Sequence, residues 1–344
     1  MQLFTHQDFA GHELVTFACD EETGLRAIIA VHSTKRGPAA GGCRMWRYET
    51  EADALRDALR LSRGMSLKNA VAGLDLGGGK AVIMLAPGQT KTPELMRAFG
   101  RAVERLNGLY ITAEDVGVST ADMEEVATQT KHVAGLASGE FASGDPSPVT
   151  ARGVFESIQI GADVVLGRKD LNGLVVAVQG LGHVGYYLCQ MLHDAGAKLI
   201  VTDINEERCA QAAADFGAEV ASVAGFHAVE CDVYAPCALG GILSERTIPE
   251  ITAKLIAGAA NNQLETEADA ERLERQGIAY MPDFLINAGG ISNVAAEIGG
   301  KPAAEFVEGW FPGFREQVRN VMTRAAEENV SPHVIAVQIA QERL

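Results

Sequence analysis

The spacing of apolar and polar positions divides the chain into two styles. In the first 130 or so residues, LRAIIAVHS (Leu25–Ser33) is nearly continuously apolar and predicts a strand. From Glu51 to Ser62, Leu55, Ala58, Leu59 and Ser62 recur at helical spacing. Thr92-Pro93-Glu94 reads as a helix start, and Leu95, Phe99, Ala102, Val103 and Leu106 form its apolar face. Asn107-Gly108 closes that helix, and LYIT (Leu109–Thr112) follows as a short strand. Around Ser138–Thr150 the composition turns to Gly, Ser and Pro, which predicts a loop and a hinge. Beyond it, short apolar runs at Leu174–Gly180, Lys198–Asp203, Cys231–Pro236, Lys254–Asn261 and Gly277–Pro282 alternate with helical stretches. That alternation is the mark of an α/β fold with a parallel, doubly wound sheet, its strands covered on both faces. The last forty or so residues read as helix, with Phe306, Trp310 and Phe314 at i, i+4, i+8.

A chain of 344 residues exceeds one ordinary core, so two domains are expected. A hydrophobic content of 47% with 22% charged residues fits a water-soluble globular protein. No apolar run is long enough for a membrane span, and the first residues lack the pattern of a signal peptide. The net charge of −16 argues against nucleic acid and anionic membranes as partners, since both select a basic face. Six cysteines, at 19, 43, 189, 209, 231 and 237, show no metal-type spacing, so no metal is expected and a reducing cytoplasm fits.

One glycine pattern has a complete context. Gly180-Leu181-Gly182-His183-Val184-Gly185 follows a β-run and opens a helical stretch, and a second strand ends in Asp203, eighteen residues after Gly185. Gly180 suits a tight turn, Gly182 lets backbone N–H groups approach a pyrophosphate, and Gly185 permits close helix–strand packing. Asp203 is placed to accept hydrogen bonds from ribose hydroxyls. A carboxylate there repels a 2′-phosphate, and no cation follows before Arg208, so NAD is favoured over NADP.

A second glycine-rich stretch, GLDLGGGKAVIML, sets Lys80 before a buried-strand pattern. It is not a phosphate-binding P-loop: Leu74 stands where the first glycine belongs, and Ala81 replaces the Ser or Thr. Two readings stay open for Lys80. It is a structural cation paired with a carboxylate such as Asp75, or a partly desolvated amine tuned for proton transfer. Lys68, twelve residues earlier, supplies a second ammonium able to hold a substrate carboxylate. Asp115 is either an ordinary loop cap or a proton acceptor.

The segments GPAAGGCRMW (Gly37–Trp46), GMSLKNAVAGLDLGGGKAVI (Gly64–Ile83), TAEDVG (Thr112–Gly117), VAVQGLGHVG (Val176–Gly185), APCALGG (Ala235–Gly241), GAANNQL (Gly258–Leu264) and PDFLINAGG (Pro282–Gly290) occur in one order. Together they resemble the leucine/phenylalanine/valine dehydrogenases of the glutamate dehydrogenase superfamily, from about Arg26 to Glu297. The resemblance implies NAD-dependent reversible oxidative deamination of an L-amino acid to its 2-oxo acid and ammonium. By position it implies that Lys80 activates the attacking water, Lys68 binds the substrate carboxylate, Asp115 exchanges protons at the amino group and Asn262 helps hold the substrate. Thr150 is implied for the nicotinamide carboxamide, and His183, Val184, Cys237, Ala238 and Asn262 join the glycine turn and Asp203 in holding the cofactor. The implied architecture is an N-terminal α/β substrate and oligomerisation domain (1–135), a C-terminal Rossmann NAD domain (136–325) and a C-terminal helix (326–344) returning to the first domain. Domain closure around substrate and a homo-oligomer, dimer or octamer, are implied as well.

By the same resemblance the side-chain pocket includes Ala40, Gly42, Met65, Ala113, Ile291 and Val294. None is charged, so a glutamate-type side chain lacks a counter-ion. A branched-chain, leucine-like substrate is preferred, with phenylalanine as the alternative; Ala40 leaves more room than a leucine enzyme needs. A 2-hydroxy-acid oxidoreductase and a non-catalytic NAD-binding regulator are the rival readings. The first requires a His–carboxylate pair in place of two lysines.

Overall fold

A computed structural model of the chain describes residues 3–139 and 141–344; residues 1, 2 and 140, the last within the Gly/Ser/Pro stretch, lie outside the described residues. The chain forms two compact units. The first comprises Met1–Asp145, Ile291–Phe306 and Ala340–Leu344, and the second Pro146–Gly290 and Val307–Ile339. These differ from the expected ranges. Of the segment 326–344, only Ala340–Leu344 groups with the first unit, which also takes Ile291–Phe306.

In the first unit the order is β1 (Leu14–Asp20), β2 (Leu25–Ser33), β3 (Ala39–Trp46), α1 (Glu51–Val71), β4 (Gly77–Met84), α2 (Pro93–Glu104), β5 (Tyr110–Glu114) and α3 (Thr120–Ala127). The sheet order is β1-β2-β4-β3-β5. β1 and β2 pair antiparallel, as do β2 and β4, whereas β3 runs parallel to both β4 and β5. Period-two alternation sorts the side chains: Ile28, Ala30 and Val82 pack on Ala54, Leu55, Ala58 and Leu59 of α1. Ala27, Ile29, Val31, Ala81 and Ile83 face Leu95, Phe99 and Val103 of α2. α2 begins as predicted, with the Thr92 hydroxyl accepting from Leu95 N and Pro93 in the first turn.

The second unit holds α4 (Ser147–Leu166), β6 (Val175–Gln179), α5 (His183–Asp194), β7 (Lys198–Thr202), α6 (Glu206–Phe216), β8 (Glu219–Val220), β9 (Val233–Pro236), β10 (Leu255–Ile256), α7 (Ala268–Arg275), β11 (Ala279–Tyr280) and α8 (Asp283–Ile286). Its sheet, ordered β11-β10-β9-β6-β7-β8, is parallel throughout. The order reverses at β6, where an open α/β sheet places its ligand crevice. The run expected as a strand over Lys254–Asn261 pairs only at Leu255–Ile256, because the following Gly258 packs against Pro236, whose carbonyl oxygen a Cβ there would meet at 2.1 Å. Three more helices follow, α9 (Gly289–Ile298), α10 (Ala303–Glu328) and α11 (Pro332–Glu342). The buried stripe of α10 runs through Val307, Phe311, Phe314 and Val318, not through Phe306 and Trp310. No helix among the described residues is long and apolar enough to cross a membrane.

Candidate active site

The GGG preceding Lys80 is strand, not loop. Gly77–Gly79 open β4, and each packs where a side chain has no room. A Cβ on Gly78 would lie 2.1 Å from Ser66 N in α1, and one on Gly79 would lie 2.6 Å from the Tyr110 ring. The glycines therefore bring α1 and β5 close to the strand and cradle no phosphate. Asn69, wholly buried in α1, donates to Gly77 O at 2.6 Å and ties the two elements together.

Lys80 shares the α1 face of the sheet with Gly78 and Val82 and is 5% exposed. Its Nζ lies 2.8 Å from Asp115 Oδ2. Asp75, the structural partner considered from the sequence, lies elsewhere; its carboxylate is 97% exposed and pairs with Arg36. The desolvation expected at Lys80 is thus met by a carboxylate. Asp115 follows the end of β5, and its side chain is the partner of Lys80 and Arg44, both through Oδ2, in place of the loop cap considered for it. Burial alone would raise the Asp115 carboxyl, but Lys80 and then Arg44 outweigh it and hold the group below its ordinary value.

The register brings further predicted residues to this face. Ala40 pairs with Gly78 and Cys43 with Ala81 across β3 and β4, which sets Gly42 beside Lys80. Gly42 also pairs with Ala113 in β5, and a Cβ on it would lie 2.9 Å from Asp115 Cβ. Met65 reaches within 3.1 Å of the Cβ position of Gly41. Lys68 is half-buried in the last turn of α1, a helix that continues beyond Ser62 to Val71. Ile291 and Val294 lie half-buried on α9 in the same unit. Ala40 is buried and pairs with Gly78 of β4 and Ile111 of β5.

Sequence reasoning missed Arg44, Asp57 and Tyr48, which continue the network. Arg44 Nη1 lies 3.0 Å from Asp57 Oδ2, and the Tyr48 hydroxyl donates to the same oxygen at 2.6 Å. The available signal was parity. Arg44 stands two residues after Gly42 on one strand and so projects to the same face.

In the second unit, the glycine turn joins β6 to α5. Gly180 has φ +104°, and its N–H donates to Thr202 O at 2.8 Å. A Cβ on Gly185 would lie 2.0 Å from Gly180 O, whereas nothing stands within 4 Å of one on Gly182. The open side at Gly182 and the N–H groups of the first turn of α5, with His183 exposed and Val184 half-buried, fit a dinucleotide pyrophosphate. Asp203 Oδ2 accepts from Leu181 N at 2.6 Å and Oδ1 from Asn205 N at 2.8 Å, so the carboxylate is fixed by the turn it serves. Ala238 covers the turn, its Cβ 2.7 Å from the Cβ position of Gly180, and Cys237 N donates to Gln179 O. Burial pushes the Cys237 thiol up to about 11, which leaves it unreactive.

Asn262 is exposed in a left-handed conformation (φ 53°), fixed by its N–H donating to Asp283 Oδ2 at 2.7 Å and its carbonyl accepting from Gly241 N. Thr150, in the first turn of α4, donates its hydroxyl proton to Pro146 O at 2.9 Å, leaving its oxygen able to accept. A Cβ on Gly290 would lie 2.8 Å from that hydroxyl. No group of three His, Cys, Asp or Glu able to hold a metal occurs among the described residues.

A parallel doubly wound unit with a dinucleotide-type turn, accompanied by a unit carrying a buried lysine–aspartate pair, defines an NAD(P)-linked oxidoreductase. Known proteins agree with that class. Residues 12–132 match the Glu/Leu/Phe/Val dehydrogenase dimerisation domain, and residues 201–344 match the Glutamate/Leucine/Phenylalanine/Valine dehydrogenase family. A leucine dehydrogenase of Geobacillus stearothermophilus is 47% identical over 100% of this chain and 94% of its own length. A valine dehydrogenase of Streptomyces virginiae is 41% identical over 98% and 95%. The crystal structure of the L-tryptophan dehydrogenase from Nostoc punctiforme superposes with a TM-score of 0.86 at 40% identity, covering 99% of this chain and 98% of that one. The chain belongs to the glutamate/leucine/phenylalanine/valine dehydrogenase family of amino-acid dehydrogenases.

Proposed function

We propose that the protein catalyses the NAD-dependent, reversible oxidative deamination of a hydrophobic L-amino acid, with branched-chain, leucine-like substrates preferred. The observation that carries the chemistry is the buried Lys80–Asp115 pair at 2.8 Å on a face that also carries Gly42, Ala113 and Met65. Lys68 anchors the substrate α-carboxylate, since a fixed cation is what that group requires. Asp115 takes a proton from the substrate ammonium, because a hydride leaves Cα readily only beside a neutral amine. Lys80 then removes a proton from the water that attacks the resulting imine carbon. NAD, when bound, supplies the hydride acceptor. Gly180, Gly182, Gly185 and Asp203 hold it, with Thr150, His183, Val184, Cys237, Ala238 and Asn262 around them.

The preference for NAD over NADP is supported by Asp203, whose carboxylate is fixed at the end of β7. The uncharged residues Ala40, Gly42, Met65, Ala113, Ile291 and Val294 support an apolar side chain. The 47% identity to a leucine dehydrogenase over its near-full length supports the leucine-like choice. A homo-oligomer is supported by the match of residues 12–132 to a family dimerisation domain.

The test is coenzyme reduction at alkaline pH against a panel of L-amino acids with NAD and NADP, with the reverse reaction run with and without ammonium. We expect NADH formation with leucine, isoleucine and valine, and an absolute need for ammonium in reverse. Lys80→Ala is expected to lose turnover by at least about 100-fold while still binding NADH. Reduction of NAD by 2-hydroxy acids instead, or full turnover by Lys80→Ala, would refute the reading.

A further inference from the structure

Asp115 is gripped by two cations through one oxygen. Lys80 Nζ lies 2.8 Å and Arg44 Nε 3.0 Å from Oδ2. Arg44 extends onward to Asp57 at 3.0 Å, so Lys80, Asp115, Arg44 and Asp57 form a chain of alternating charge with no net sum. We propose that Arg44 is a positioning residue of the amino-acid site, holding Asp115 in place and counter-charged while Lys80 passes between ammonium and amine. The inference rests on the deamination reading above.

An isolated Lys–Asp pair cannot easily do this chemistry. When the lysine gives up its proton, the partly buried carboxylate loses its counter-ion, and desolvation makes that costly. A guanidinium stays protonated throughout, so with Arg44 present a positive charge faces Oδ2 at every stage. The shape of its fork suits this role, with Nε serving Asp115 while Nη1 is held by Asp57 of α1. Geometry also fixes the direction. Arg44 lies on β3 two residues after Gly42, on the face that Lys80 occupies from β4.

Cys43 on β3, Tyr48 after it and Tyr110 on β5 also act on Asp115, and Asp122 on α3 acts on Cys43. Burial keeps Cys43, Tyr48 and Tyr110 protonated and neutral, and Asp122 is bound by Lys91. None of these supplies a cation, and the remaining ammonium, Lys68, is engaged by the substrate carboxylate in the reading above.

The experiment compares wild type, Arg44→Ala, Arg44→Lys and Asp57→Asn for kcat, amino-acid KM, NADH affinity and the pH dependence of kcat. Arg44→Ala is expected to lose about 10- to 100-fold in kcat with NADH affinity unchanged, and added guanidinium to restore part of the loss. Its acid limb should move to higher pH, because removing the guanidinium takes a positive charge from beside the Lys80–Asp115 pair, both members of which must be deprotonated to act. Asp57→Asn removes one negative charge and should move that limb to lower pH. It serves as the sign test where Arg44→Ala does not fold. Arg44→Lys should fall between wild type and Ala, since one ammonium does not reproduce the two-pronged grip. A kcat within twofold of wild type, limbs that do not move in either variant, or a loss that guanidinium leaves untouched would overturn the proposal. Absence of amino-acid-dependent NADH formation by the wild type would instead defeat the deamination reading.

Discussion

Asp115 carries a charge whose energetic contribution depends on pH in a calculable direction. Lys80 and Arg44 hold its carboxyl below the ordinary value against the opposing effect of burial. A depressed carboxylate stabilises the fold above its unfolded value, about 4, and loses that contribution as pH falls through the folded value. Asp115→Asn should therefore lower stability near neutrality, by about 2 kcal/mol for the charge-assisted bonds removed. The gap to wild type should narrow below about pH 4. Thermal melts between neutral pH and pH 3 decide it, and a gap that stays constant would contradict the account. The buried setting of Lys80 is legible in the sequence because Ala-Val-Ile-Met-Leu follows it. Its partner is not, because a salt bridge between β4 and the end of β5 depends on strand order. Arg44 is hidden for the same reason: a cation in a glycine-rich run looks solvated until β3 lies between two neighbours.

At the level of elements, β4 shows propensity overridden by packing. Three glycines in a row favour no strand, yet Gly77–Gly79 pair with β2 and β3 because the Ser33 carbonyl, α1 and the Tyr110 ring occupy the space their side chains would need. Two substitutions separate the effects. Gly78→Ala places a Cβ 2.1 Å from Ser66 N and is expected to cost about 1–3 kcal/mol and to raise amino-acid KM by displacing the turn that carries Lys68. Gly64→Ala, in the same helix with nothing within 4 Å of the new carbon, should be neutral or stabilising by up to about 1 kcal/mol. Urea denaturation of both variants tests the contrast, and equal costs would defeat it. Gly64 also explains why the legible helix stops at Ser62: a glycine interrupts the apolar period, although the backbone continues to Val71. The short strands β10 and β11 look longer in sequence because apolar runs extend past the few residues that pair.

Across the whole molecule, the first unit is assembled from distant parts of the chain. Glu297 on α9 accepts from Gly135 N at 2.9 Å, Leu136 N at 3.3 Å and the Ser143 hydroxyl at 2.7 Å, while Asn293 donates to Ser143 O. Arg343 donates to Ala70 O and Val71 O at the end of α1, just beyond Lys68. A return of the C-terminus is implied by the family resemblance, but the part played by α9 is not signalled, since that helix continues without a break from Gly289 while its residues from Ile291 onward group with the first unit. Glu297→Ala should leave those N–H groups without their acceptor and expose the backbone at Gly135, Leu136 and Ser143 to proteolysis, while residues 1–145 expressed alone should fail to melt cooperatively. Limited digestion and calorimetry check the pair of outcomes, and a sharply melting 1–145 fragment would refute the second.

The Arg343 clamp bears on how a ribosome must build this protein. Translation runs from the amino end, so β1 through α3 emerge early, yet they wait for partners encoded roughly two hundred residues later. The Rossmann half, whose pieces all precede Ala340, is free to mature first even though it starts second. The nascent first unit therefore spends the longest time incomplete, and chaperone dependence during biosynthesis should concentrate there.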